Sequence, residues 1–147
     1  MKTVFDQATR DEIIRRINSL TENSGRQWGK MNVLQMIKHC NGFEELVQGN
    51  EHHKRAFVGR IFGKMALKNV LKDEAPLRKN SPTLPSLKTS NNGDLQSEKE
   101  KWISRINDYN NFSKNEFMHP FFGKMTKEQT GYFAYKHSDH HLRQFGA

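Results

Sequence analysis

Tyr135-Lys136-His137-Ser138-Asp139-His140-His141-Leu142-Arg143-Gln144-Phe145-Gly146-Ala147 gathers three of the seven histidines of the chain into five positions. The stretch reads as the end of a helix, because a lone glycine follows its last apolar residue, Phe145. Residues three and four apart share a helix face, so His137 and His141 project together with His140 beside them. Two imidazoles at that spacing make half of a metal site. The plainer meaning of the same pattern is a solvated, histidine-rich helix end, and the rest of the chain has to decide between them.

The chain has the size of one domain, 1–147, enough for a single sizeable core. Hydrophobic residues make up 34%, charged residues 27%, and the mean hydropathy is −0.90, which predicts one soluble, folded unit rather than a disordered chain. No apolar run has the form of a signal peptide or the length of a membrane span. The single cysteine, Cys40, has no partner for an internal disulfide. A cytoplasmic protein without a membrane partner is expected.

The net charge is +8. Eight cations, Lys54, Arg55, Arg60, Lys64, Lys68, Lys72, Arg78 and Lys79, face only Asp73 and Glu74 in the same segment, a local excess of +6. Such a stripe can be a footprint for nucleic acid or for an anionic surface. No zinc-finger spacing, RNP-like aromatic pattern or recognition helix accompanies it, so nucleic acid is not expected as a partner and a solvated face is.

Four helix starts carry capping signals. Thr9-Arg10-Asp11-Glu12, Ser97-Glu98-Lys99-Glu100 and Thr126-Lys127-Glu128-Gln129 are capping boxes, and Asn32-Val33-Leu34-Gln35 is a weaker one. Apolar residues recur at helical spacing after each: Ile13, Ile14, Ile17 and Leu20, then Met36, Ile37, Cys40, Phe43 and Val47, then Trp102, Ile103, Ile106 and Tyr109. Phe133, His137, His141 and Phe145 lie along the fourth. No stretch sustains two-residue alternation, which predicts an all-α chain, most simply a four-helix bundle.

Link lengths then order the helices. The first and second are joined by a short segment holding Gly25, Trp28 and Gly29, and the third and fourth by Phe117-Met118-His119-Pro120-Phe121-Phe122-Gly123. Short links predict antiparallel neighbours. Between Asn50 and Asp94 the link is long enough to cross the bundle, giving up-down-down-up topology. An extra amphipathic piece around Phe57, Val58, Ile61, Phe62 and Met65 begins it, and a loop with Pro76, Pro82, Pro85 and Gly93 ends it. Gly59 and Gly63 weaken the helical pattern there while allowing close backbone approach.

His39 falls on the margin of the apolar arc of the second helix, between Phe43 and Leu46, so an imidazole is aimed at the interior. A buried imidazole must find a partner, which a hydrogen-bonded core histidine would satisfy as well as a metal ligand. Depth separates the two. His39 lies about 10 Å from the Asn32 cap, and His141 and His137 lie about 6 and 12 Å before Phe145. With the second and fourth helices antiparallel, all three fall at one level. Three neutral imidazoles suit zinc, nickel or another late divalent ion and leave a coordination position open. His140 could replace either helix-four partner. His119 precedes that helix at the far end, and His52 and His53 sit in a loop. Cys40 points toward the core as a small hydrophobe, Trp28 closes one end of the bundle, and Gln144 shares a face with His137 and His140.

Trp28 followed by Met31-Asn32-Val33-Leu34-Gln35-Met36-Ile37-Lys38-His39-Cys40-Asn41, then His119-Pro120-Phe121-Phe122-Gly123-Lys124-Met125-Thr126, then residues 135–146, resemble the DinB/YfiT-like superfamily. The resemblance is closest to an uncharacterised branch whose members close on this histidine-rich helix. It covers nearly the whole chain, and that helix is its most specific part. It implies a four-helix bundle with a long crossover and a divalent metal held by His39, His137 and His141. Better-known relatives are thiol-dependent transferases or isomerases. Two classes of function follow: a metal-dependent transferase that activates a low-molecular-weight thiol, or a non-catalytic, stress-associated module stapled by the metal. A metal-dependent hydrolase is a third, weakened by the lack of a convincing general base. The partners left open are a small thiol cosubstrate and a second copy of the chain.

Overall fold

In the computed structural model, residues 1–49, 54–82, 84 and 87–147 are described. His52, His53 and Pro85, assigned to loops above, lie outside them. Among the described residues five α-helices and one hairpin follow in order: α1 Gln7–Ser19, α2 Val33–Gln48, α3 Phe57–Val70, α4 Leu95–Asp108, β1 Glu116–His119, β2 Gly123–Thr126 and α5 Lys127–Gln144. The chain is mostly helical.

The capping signals divide into two that hold and two that are displaced. Asn32 accepts from the Gln35 amide while the Gln35 side chain accepts from the Asn32 amide, and Thr126 and Gln129 do the same at the start of α5. Thr9 and Ser97, in contrast, are inside their helices. α1 begins at Gln7 after Asp6, and α4 is capped by Asp94, whose carboxylate accepts from the Ser97 amide at 2.7 Å. At α4 an Asp three residues upstream offers the same acceptor chemistry as the serine and reaches the first free amides earlier, whereas the Asp6 side chain makes no cap bond at α1.

α2 contributes more buried apolar side chains to the core than any other helix. Its Met36, Ile37, Cys40 and Phe43 pack among Ile13 and Ile17 of α1, Trp102 and Ile106 of α4, and Phe133, Ala134 and Leu142 of α5, all buried. Each large apolar side chain so placed contributes about 1.5–3 kcal/mol of transfer free energy. Helix directions can be read from cross-helix pairs. Phe43 meets Phe133, and His39 meets His141, so α2 and α5 run antiparallel. Asn41 bonds Glu98, and Gln48 bonds the Arg105 carbonyl, so α2 and α4 run parallel. Lys99 donates to the Asn18 and Leu20 carbonyls and Arg10 to Asn110, which makes α1 antiparallel to α4.

Adjacency corrects one expectation. α1 packs on α4 and α5, and α2 likewise on α4 and α5, so helices joined by a short link sit across the bundle from one another. Charge fixes the α1–α5 seam: Arg16 donates to Asp139 at 2.8 Å, and Asp139 also binds Arg143.

The hairpin is the second correction, since an all-α chain was expected. β1 and β2 pair antiparallel with Phe117 opposite Met125 and His119 opposite Gly123. Four residues per strand are too few to show alternation in a sequence, and the inward members, Phe117, His119 and Met125, are recognisable only once their burial is known. Gly123 takes φ +82°, a conformation that favours glycine. The His119 ring closes the turn, its Nδ1 accepting from the Phe121 and Phe122 amides at 3.1 Å each. The turn in turn seats α3. A Cβ on Gly59 or Gly63 would lie 2.3 or 2.1 Å from the Phe121 carbonyl oxygen, so only glycine permits this approach of helix to backbone. The chain segment after α3 then runs over α2, with Thr89 donating to the Gln35 carbonyl.

Candidate metal centre

His39 on α2 and His137 and His141 on α5 meet in the core at 4%, 9% and 7% exposure. One nitrogen from each lies within 4.8 Å of the others. The HxxxH spacing puts the two α5 rings on one face, 4.7 Å apart between centroids, and the antiparallel packing brings His39 to 4.6 Å from His141.

The outer nitrogens set the tautomers. His39 Nδ1 lies 3.1 Å from the Leu87 carbonyl, an acceptor only, so the proton is assigned there and Nε2 presents a lone pair. His141 Nδ1 donates to Gln144 Oε1 at 2.9 Å, and Gln144 Nε2 donates to the Trp28 carbonyl at 3.0 Å. Gly29 permits this relay, since at φ +81° any Cβ would stand 2.5 Å from Gln144 Nε2. His137 Nδ1 has no hydrogen-bond partner among the described residues. Packing orients that ring instead, through Phe43 stacked on it at 4.0 Å.

His39 Nε2 and His137 Nε2 are 3.1 Å apart. Since the first is a bare lone pair, His137 must carry its proton on Nε2 to bridge them in the absence of an ion. A cation in place of that one proton would find three inward nitrogens, two already held in the required tautomer. The residues therefore fit a divalent ion. Burial pushes all three imidazoles below their ordinary pKa, for His137 and His141 well below, and the neighbouring imidazoles add to it. Neutral rings are the form that ligates.

The remaining candidates lie apart. His140 packs between Trp28 and His141, with centroids at 5.5 and 5.0 Å, and is not in the triad. His119 belongs to the hairpin, where burial lowers its pKa to about 4. Cys40 is fully buried and turned to the Met36 sulfur at 3.7 Å, and burial raises its thiol well above the ordinary range. Gln144, on the face shared by His137 and His140, bonds the outer nitrogen of His141 on the same helix.

Two features left no trace in the sequence reading. The Leu87 carbonyl is a backbone group 48 residues from His39, with no residue-type signature. Glu44 is fully buried beside α4, bonded to the Tyr109 hydroxyl at 2.5 Å, and burial raises its carboxyl to about 8. Its signal was available: Glu44 follows Cys40 by one turn, on the apolar side of α2.

Among the described residues no helix is long and apolar enough to cross a membrane. No curated protein and no solved structure matches the chain. A family model described as "Protein of unknown function (DUF1569)" matches residues 3–147, nearly the whole length, and with that span the chain belongs to the DUF1569 family.

Proposed function

We propose that this protein is a divalent-metal-binding bundle of the DinB/YfiT-like kind, with up-down-down-up topology, and that it acts as a transferase on a low-molecular-weight thiol. The observation that carries the reading is the convergence of three buried, neutral imidazoles whose outer nitrogens at His39 and His141 are already bonded. Three nitrogen donors suit zinc or nickel. When bound, such an ion supplies Lewis acidity and lowers the pKa of a thiol that joins it.

The chain's own residues supply position and environment. The Leu87 carbonyl and Gln144 hold two rings in register, and Phe43 and Phe133 wall the site with apolar surface. Among the described residues no fourth His, Cys, Asp or Glu joins the cluster, so a bound ion would have a coordination position not taken by such a side chain. Cys40 is excluded as the nucleophile by its burial and raised pKa. Asp139 is held by Arg16 and Arg143, which disfavours a hydrolase that would need it as general base. A purely structural ion, joining α2 to α5, is the competing reading, because the ligands come from those two helices alone.

Cobalt substitution separates the two. Adding a small thiol to the cobalt protein should produce a sulfur-to-metal charge-transfer band that His39→Ala removes. A spectrum indifferent to thiols and small anions would identify a closed, structural site. Loss of metal in His140→Ala with retention in His39→Ala would overturn the ligand set.

A further inference from the structure

α3 is held to the molecule by one face and leaves another uncovered. Its packed side is Gly59, Gly63 and Leu67, and the glycines bring the helix against the backbone of Phe121. The other side carries Phe57, Val58, Ile61, Phe62 and Met65, exposed by 75%, 56%, 61%, 50% and 60%. Exposed apolar residues scattered singly are ordinary, whereas five within about two and a half turns of one helix form a continuous strip. The glycine contact is backbone to backbone, so the helix cannot roll to bury that strip without giving up its seat.

Charge decides what such a strip fits. Arg60, Lys64 and Lys68 recur every four residues, and at about 100° per residue they form a row bordering the Phe57, Ile61 and Met65 line. α3 contains no carboxylate. The protein as a whole carries +8, so approach to a negative surface is favoured at long range as well as at contact. A second copy of the chain meets the opposite situation: pairing two such faces sets two cationic rows together with no acid on either helix to offset them. Aromatic and aliphatic residues on one face with Lys and Arg along its border are the composition of a helix that lies in the plane of a membrane interface. At 14 residues it is too short to span one, so a window of spanning length does not detect it.

We propose that α3 docks this protein on bilayers containing anionic phospholipid, the apolar strip entering the boundary between headgroups and acyl chains and the Arg60, Lys64 and Lys68 row meeting the headgroups. This proposal departs from the expectation of no membrane partner, and it invokes no spanning segment. The surface is separate from the histidine triad, and the two readings stand or fall apart.

The test is co-sedimentation of the full chain with vesicles of phosphatidylcholine containing about 30% phosphatidylglycerol, compared with pure phosphatidylcholine, at low and high salt. The protein should sediment with the anionic vesicles only and be released by salt. Phe57→Ser with Phe62→Ser changes exposed positions and should keep the fold, checked by its circular dichroism and an unchanged urea unfolding midpoint, yet weaken binding by about tenfold or more. Lys64→Glu with Lys68→Glu should weaken it by more than about 20-fold. No sedimentation with anionic vesicles, equal sedimentation with neutral ones, or binding unaffected by the serine pair overturns the proposal. So does a dimer in analytical ultracentrifugation that the serine pair dissociates without any vesicle binding, which would make the strip a contact between copies.

Discussion

Glu44 is a buried carboxyl outside the triad whose protonation departs from its ordinary state. Its carboxyl is held neutral by burial, with the Tyr109 hydroxyl bonded to one oxygen and the other left unpaired among the described residues. Its folded pKa of about 8 lies above the ordinary 4.5. A raised pKa means that its contribution to stability is fully present below about pH 4.5 and is lost as pH rises through about 8. Glu44→Gln keeps the shape and removes the titration. Relative to the parent, the variant should gain about 2–3 kcal/mol between pH 6 and 8, measured by urea unfolding at each pH. A gap that does not change with pH would show that the carboxyl ionises freely in the fold. His39 and Glu44 make an instructive pair, five residues apart on α2 and both buried. Each polar group on an apolar face needs a partner, but the identity of that partner belongs to another helix or loop.

At the scale of elements, α3 depends on the hairpin and the hairpin on two special residues, Gly123 and His119. Gly63→Ala would place a methyl group 2.1 Å from the Phe121 carbonyl oxygen. Backbone cannot yield as a flexible side chain does, so the expected cost is about 1–3 kcal/mol. The loss should be local. Amide exchange should accelerate in α3 while α2 and α5 stay protected, and metal uptake should be retained because the triad lies on those two helices. Equal acceleration throughout would mean that α3 unfolds only with the whole bundle. The caps show how far element boundaries were legible. Asn32 and Thr126 stand where two reciprocal bonds form, whereas the N-cap positions of α1 and α4 are Asp6 and Asp94, three residues ahead of the hydroxyls that carry the capping-box pattern.

For the whole molecule, an ion at the triad would connect α2 and α5 across the core, so metal, pH and stability are linked. The three imidazoles have folded pKa values below the ordinary 6.5. Groups of this sign contribute stability that is present above about pH 6.5 and is lost as pH falls toward the folded value. The metal-free protein should therefore weaken below about pH 6.5. Zinc should raise the midpoint of thermal unfolding at pH 7.5 in proportion to the logarithm of its concentration, and because the folded imidazoles stay neutral below the ordinary 6.5 that increment should persist as pH falls through 6.5. A zinc effect that is lost as pH falls through 6.5, as for solvent-exposed histidines, or that survives His137→Ala, would place the ion elsewhere.

The sequence by itself determined the helical character of the chain, the two reciprocal caps and the placement of His137 and His141 on one face, because all of these follow from spacings within a single helix. It also carried the depth of His39, since rise per residue is a local quantity. Only the tertiary structure decided that α1 and α2 sit across the bundle, that a hairpin seats α3, and that the Leu87 carbonyl and the Gln144 relay turn the rings inward. Those features join groups far apart in the chain through backbone atoms and packing, and neither leaves a pattern in residue type. The uncovered face of α3 falls between the two kinds. Its amphipathic spacing was readable, but which side would be buried was decided by two glycines meeting the backbone of Phe121.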